Sequence, residues 1–230
     1  MNKKVLVVSL GGSLIVPEKI DLKFLKDFKK TLEKNYKTHK FVIVCGGGTV
    51  ARKYISIVKE ERKDYKELSL AGIKATRTNA EVMMQFFGKK ESNDKLPMNM
   101  NKVKEALEKN SVVICGALRY TPNATSDTTS AKLAHLLKSN FINITNIKGL
   151  YSDNPSKNKN AKFIPKESWR SFERRTLKIK HTPGQHFVLD QEASTIIRKN
   201  KIKTYIIGPN AKNLDNLIKN KKFIGTTISG

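Results

Sequence analysis

Short apolar, β-branched blocks alternate with amphipathic stretches along this chain. The blocks Val5–Leu10, Phe41–Cys45, Val112–Cys115, Phe141–Asn146 and Thr204–Gly208 read as strands. They are apolar almost without alternation, the pattern of parallel strands covered on both faces. Between them, apolar residues recur every three or four positions. The stretch 21–34 shows it in Leu22, Leu25, Phe28 and Leu32, and 49–62, 72–87, 101–109, 126–139, 190–200 and 211–220 follow the same rule. The alternation predicts an α/β chain, a three-layer αβα sandwich around a mainly parallel open sheet. A late hairpin-like piece, Phe223–Ile228, is expected to close one edge. Segment 151–185 breaks the rhythm with Pro155, Pro165, Pro183 and Gly184. It reads as a long excursion over the C-terminal edge of the sheet, so 1–230 is expected to form a single domain.

Composition narrows the class. A chain of 230 residues with 38% hydrophobic residues can bury a sizeable core, which excludes disordered and fibrous classes. No apolar run approaches the ~20 residues of a membrane-spanning helix. The first residues, MNKKVLVVSLGGSLIVP, superficially resemble a signal peptide, but a Gly-Gly-Ser break interrupts them and no small-x-small site follows. Cys45 and Cys115 both sit in strand blocks and lack metal-ligand spacing, so buried free thiols and a cytoplasmic location are expected.

Charge is the strongest compositional signal: 45 Lys and Arg against 20 Asp and Glu leave +25. Such a field attracts nucleic acid, anionic membrane surfaces or small phosphorylated ligands. The lysines are spread over every predicted helix, without the interleaved aromatics or Arg forks of a nucleic-acid surface, so nucleic acid is not expected as the main partner. The densest stretch, 148–180, holds ten Lys and Arg and three Asp and Glu.

Two glycine-rich strand ends carry the candidate chemistry. Val5–Leu10 runs into Gly11-Gly12-Ser13, and Phe41–Cys45 runs into Gly46-Gly47-Gly48-Thr49 before a helix. Glycine lets backbone N–H groups approach a phosphate, and a following helix N-terminus adds a favourable dipole. Neither loop is GxxxxGK[ST] or GxGxxG. Two of them at strand C-termini, where open α/β sheets bind ligands, predict a phosphate crevice with the loops facing each other. Arg52, one turn into the helix, would point its fork back at that phosphate; a surface salt bridge is the alternative. His39, His135, His181 and His186 have no mutual spacing that suggests a metal or a relay.

These motifs, with GGGTVARKYI at 46–55, GIKATRTNA at 72–80, TSDTTSAKLA at 125–134, ITNIKGLYSDNP at 144–155 and GQHFVLDQEAS at 184–194, resemble in order the amino acid kinase superfamily. Within it they resemble the archaeal type of uridylate (UMP) kinase, over essentially the whole chain. The resemblance implies transfer of the γ-phosphoryl group of ATP to UMP with Mg²⁺, an acceptor lobe over 1–138 and an ATP lobe over 139–230. It also implies a homo-oligomer, a hexamer built from dimers.

By resemblance, Gly12, Ser13, Gly48 and Arg52 meet the ATP phosphates, while Thr145, Asn146, Tyr151 and Asn154 form its base and ribose site. Gly47, Ser69 and the run Tyr120, Thr121, Pro122, Asn123, Ala124, Thr125 and Ser126 meet UMP. Asp127 matches the aspartate that organises the catalytic centre, with Arg52 and Asp190 as the other catalytic positions. Composition alone also fits helix capping at Asp127 and Asp190. By resemblance Asp190 helps hold the metal or the reactive centre, and no set of protein metal ligands is implied.

The chain departs from the family pattern in four places. Ser9 stands where the superfamily often has a lysine, and Ser69 where an aspartate normally holds the UMP ribose. Lys148 replaces an acid, leaving either Asp153 or Asn154 for the nucleotide. The loop 116–123 is longer than usual and inserts Arg119 and Tyr120. These departures bear on the acceptor: another small anion, or a binding relative without turnover, are the alternatives.

Overall fold

The computed structural model describes residues 3–61, 64–122, 124–178 and 188–230. The chain opens with strand β1 (Lys4–Leu10), the one-turn helix α1 (Gly12–Ile15) and α2 (Leu22–Asn35). Asp21 starts α2 by accepting the Phe24 amide at 2.9 Å, an N-cap that satisfies one otherwise free donor. Strand β2 (His39–Cys45) leads into α3 (Gly48–Glu61) and the long α4 (Tyr65–Phe87), and α5 (Met100–Lys109) precedes β3 (Val112–Cys115). Then come α6 (Ser126–Leu136), β4 (Asn140–Ile144), β5 (Leu150–Tyr151), β6 (Phe163–Ile164), β7 (Lys166–Glu167) and α7 (Trp169–Leu177). The last elements are α8 (Gln191–Lys199), β8 (Thr204–Ile207), α9 (Ala211–Ile218) and β9 (Thr226–Ile228).

The main sheet runs β3-β2-β1-β4-β8-β9-β7, and its first five strands are parallel. β1 lies between β2 and β4, so the chain winds one way from it to β3 and the other way from β4 to β8. That reversal is where an open α/β sheet presents a crevice beyond its strand ends. Alternate residues of each strand feed two cores. Leu6, Val8 and Leu10 pack with Phe28 and Leu32 of α2, Met83 of α4 and Leu214 of α9. On the other face, Val7, Val42 and Val113 pack with Leu107 of α5, Leu133 of α6 and Ile197 of α8. The result is the three-layer sandwich expected.

Three readings change. Phe223–Ile228 is a strand only over Thr226–Ile228, antiparallel to β8, and it does not close the sheet. The edge is β7, paired parallel to β9 through Lys166↔Thr227 and Glu167↔Ile228. Segment 151–185 is more structured than a bare excursion: within its described residues lie the β5–β6 ribbon, β7 and α7, whose Phe172 is buried against Ile197 in the same core. Its proline-rich composition hid these short elements. α4 also begins at Tyr65 rather than at 72, because its first turns bury Leu68 and Ala71 on Ile55 of α3 in a small separate core. Cys45 and Cys115 are buried free thiols, and burial pushes the Cys115 thiol up to about 12.

Candidate active site

The two glycine loops meet at the C-terminal ends of β1 and β2. Gly46 N–H donates to Leu10 O at 2.9 Å and Gly11 N–H to Ile144 O at 3.0 Å, so the sheet ladder carries on into both loops. Their backbones then touch. A Cβ on Gly12 would lie 2.3 Å from Gly48 N and 2.4 Å from Gly46 O, and one on Gly48 would lie 2.3 Å from Gly12 C. Gly48 also has φ of +57°, a conformation that disfavours every side chain. Around this junction lies a crevice of about 200 Å³. It takes in Ser13 from the first loop, Arg52 and Ile55 from α3, and Ser69, Ile73 and Thr76 from α4.

Arg52 is exposed, and its guanidinium donates to Thr49 Oγ1 at 2.9 Å, back towards the N-terminus of α3. Among the described residues it has no acidic partner, so the salt-bridge alternative is not what holds it.

The opposite wall is a network of acids and hydroxyls where the N-termini of α6 and α8 converge. Thr125, not Asp127, caps α6: its Oγ1 accepts the Asp127 amide at 3.0 Å. The Asp127 carboxylate is thereby left for the crevice, half-buried, with Oδ1 accepting from Ser9 Oγ at 2.8 Å. Burial first, and the neighbouring Asp190 second, push the Asp127 carboxyl up to about 7, against the Ser9 hydrogen bond.

Asp190 is fully buried, and the capping reading holds for it: Oδ1 accepts the Ala193 amide at 2.7 Å. It does more than cap. The same oxygen accepts from Thr128 Oγ1 at 2.8 Å, while Oδ2 accepts from Thr125 Oγ1 at 2.6 Å and the Thr128 amide at 3.2 Å. Three of these four donors come from the start of α6 and bind it to the start of α8.

One turn of α4 fixes the loops from behind. Asn79 donates to Gly46 O at 2.7 Å. Thr76 Oγ1 accepts the Ala117 amide at 2.9 Å, and Arg77 donates to Ala117 O at 3.1 Å and Leu118 O at 2.7 Å. The loop 116–123 depends on these tethers, and its Arg119 and Thr121, with Ala124 just after it, line both the crevice and a second cavity of about 380 Å³ against α5 and α6. Arg77→Ala removes two charge-assisted bonds at once and should cost about 2 kcal/mol of stability. Amide hydrogen exchange should then accelerate over 117–122; unchanged protection there would leave Thr76 as the sole tether.

The structure brings together Gly12, Ser13, Gly47, Gly48, Arg52, Ser69, Thr121, Ala124, Thr125, Ser126, Asp127, Thr145 and Asp190 in this one crevice. Asn146, Tyr151, Asn154, Tyr120 and Pro122 do not line it. Tyr151 packs edge-on against Phe163, with ring centroids 5.5 Å apart. Asn154 Oδ1 is taken up by Ser156, and the Asp153 carboxylate by the Asn154 amide and Asn158, so both side chains serve their own turn. Asn123, His181 and His186 lie outside the described residues.

Sequence reasoning left out Asn143, Thr76, Arg77 and Asn79. Asn143 had a readable signal, as a buried polar residue in the apolar block FINIT, and it donates to Val188 O. The α4 residues had only their polarity on a buried helix face.

The model of the amino acid kinase family matches residues 4–208. A uridylate kinase from Thermococcus kodakarensis is 33% identical over 218 residues, covering 94% of this chain and 96% of that protein. The crystal structure of uridylate kinase from Archaeoglobus fulgidus superposes with a TM-score of 0.83 at 30% identity, covering 97% of this chain and 99% of that one. UMP kinase from Ureaplasma parvum, at 23% identity and a TM-score of 0.78, shares the fold over 100% of both chains.

Proposed function

The chain belongs to the amino acid kinase family, and from that membership and the crevice we propose that it transfers the γ-phosphoryl group of MgATP to UMP, giving UDP and ADP. One observation carries the reading: two glycine loops in backbone contact at a sheet reversal, with Arg52 on one side and Asp127 on the other. A phosphate oxygen of UMP attacks the γ-phosphorus, the bond from that phosphorus to the β-phosphate oxygen breaks, and ADP leaves. The acceptor is already an anion, so no strong base is needed, and catalysis rests on alignment and charge neutralisation.

Backbone N–H groups of Gly12, Ser13 and Gly48 and the Arg52 fork would hold the transferring phosphates. Thr125 and Ser126, with the Gly47 backbone, would hold UMP on the 1–138 side; Thr145, with Asn146, Tyr151 and Asn154 beyond the crevice, would meet ATP on the 139–230 side. Asp190 acts through Thr125 and Thr128, since all its acceptor capacity towards the crevice is taken by them and by α8. The magnesium ion is part of the substrate: it enters on the ATP phosphates, and a hard cation that keeps phosphate and water oxygens needs little from the protein. A cytoplasmic homo-oligomer, a hexamer built from dimers, serving pyrimidine nucleotide biosynthesis completes the reading.

A different small anionic acceptor is the second reading. Ser69 faces the crevice but donates to Tyr65 O at 2.8 Å, so its hydroxyl is engaged within α4 rather than offered to a ribose. A coupled ADP-release assay over a panel of nucleoside monophosphates decides between them. UMP is expected to be turned over at least tenfold faster than the others. Preference for another anion would establish the second reading, and no ATP turnover with any acceptor would leave a binding protein. In the same assay Arg52→Ala should lower turnover strongly, with thermal stability within about 0.5 kcal/mol of wild type. Arg52→Lys should recover only part, because one ammonium cannot reproduce the planar two-donor fork. Equal rates in all three proteins would remove Arg52 from the phosphates.

A further inference from the structure

After Lys4, β1 reads VLVVSL, and five of those six residues are apolar. The exception, Ser9, is 2% exposed and pairs in register with Val44 of β2 and Asn143 of β4, in the middle of the sheet. A hydroxyl costs free energy there unless it is hydrogen-bonded. Its partner is the Asp127 carboxylate, 118 residues away, at the wall of the crevice. We propose that Ser9 is a positioning residue for the transfer step, its hydroxyl holding the Asp127 carboxylate in place and in its charged form. The proposal rests on the kinase reading for its catalytic consequence, though not for its electrostatic one.

Ser9 supplies the donor in this pair. A carboxylate that accepts a hydrogen bond is stabilised relative to its protonated form. Two influences work the other way at Asp127: burial, and the charge of Asp190 at the start of α8. β1 offers no titratable group towards it. The cations that share the crevice are Arg52 from α3 and Arg119 from the acceptor-side loop, and neither is hydrogen-bonded to Asp127 among the described residues. Oδ1 is committed to Ser9, and Oδ2 has no protein donor among the described residues, so it is the oxygen free for the crevice. Ser9 therefore sets both the rotamer and the oxygen that faces the reacting groups.

The test is the pH dependence of kcat/KM for wild type, Ser9→Ala and Ser9→Thr, together with ¹³C NMR titration of the Asp127 carboxyl in the same proteins. Ser9→Ala should move the acid limb up by about one pH unit and lower kcat/KM about fivefold at pH 7, with most of the loss recovered at pH 9. The Asp127 titration should move in the same direction, and Ser9→Thr, which keeps the hydroxyl, should restore both. An equal loss at every pH, or an Asp127 titration identical in wild type and Ser9→Ala, would overturn the proposal. The NMR measurement needs no turnover, so it decides Ser9 even if the wild type proves inactive as a UMP kinase.

Discussion

Replacing Asp127 by Asn should make the protein more stable and nearly inactive. The Asp127 carboxyl is pushed up from 3.8 to about 7, so the folded state holds this proton more tightly than the unfolded chain does. The sign follows: the group favours folding most below pH 3.8, and that contribution is lost as pH rises through about 7. At pH 8 the ionised group destabilises the fold by at most about 4 kcal/mol, less after screening by the water of the crevice. Asn removes the buried like-charge pair with Asp190 and still accepts from Ser9. Melting at pH 8 should therefore rise, and the gain should vanish near pH 4.

Activity should fall at least ~100-fold, a barrier change of about 2.7 kcal/mol, because the charge that organises the donors around the phosphoryl group is gone. UMP affinity should change far less, since Thr125, Ser126 and the Gly47 backbone remain. The capping alternative makes the opposite forecast, because Asn caps as well as Asp. The cap is in fact Thr125, which leaves Asp127 free for this role. Wild-type turnover in Asp127→Asn would remove Asp127 from the mechanism, and a lower melting temperature would refute the electrostatic account.

A carboxyl placed where burial and a like charge oppose its ionisation is the kind of group a functional site retains at a cost to the fold, and such groups are legible only in part from the chain itself. The apolar blocks gave up their strands because a parallel sheet buried on both faces leaves little room for polar residues. The glycine loops were legible because close backbone approach restricts the residue to Gly. Asp127, Asp190 and Thr125 could be picked out by motif, but what Asp190 holds besides its own helix could not. That depends on where α8 docks on α6, a contact between residues 62 to 65 apart in sequence.

Ser9 could be noticed only as a departure, and Arg77 and Asn79 only as polar residues in a motif, since their partners are loops 32 to 41 residues away. α7 was lost for a local reason: its nine residues bury only Phe172 and Thr176, too few to set a period. The β5–β6 ribbon and β7 are each two residues long per strand, below any pattern.

The contact between the two loops supports the other large effect, and two neighbouring glycines isolate it. A methyl group on Gly12 would fall 2.3 Å from Gly48 N, 2.4 Å from Gly46 O and 2.5 Å from Gly47 C. All three atoms are backbone, so no side chain can swing aside. The loops must separate, and Gly46 is anchored by Asn79 and by the sheet ladder through Leu10. On Gly11 the same methyl meets Ile144 O at 3.2 Å and otherwise only ordinary contacts, at a φ of −54° that any residue adopts. Gly12→Ala should therefore cost about 1–3 kcal/mol of stability, the usual range for forced overpacking.

Its effect on turnover should be larger than its effect on the fold. The N–H groups of Gly12, Ser13 and Gly48 are useful only while they converge on one phosphate, and a misplacement of about 1 Å costs on the order of 100-fold. kcat/KM for Gly12→Ala is thus expected to fall at least ~100-fold, while Gly11→Ala stays within about fivefold of wild type. Both proteins should be assayed at a temperature where melting curves show them fully folded, so that lost activity reports loop separation rather than unfolding. If the two variants behave alike, the backbone contact between the loops is a packing accident, and phosphate alignment must come from Arg52 and the hydroxyls instead.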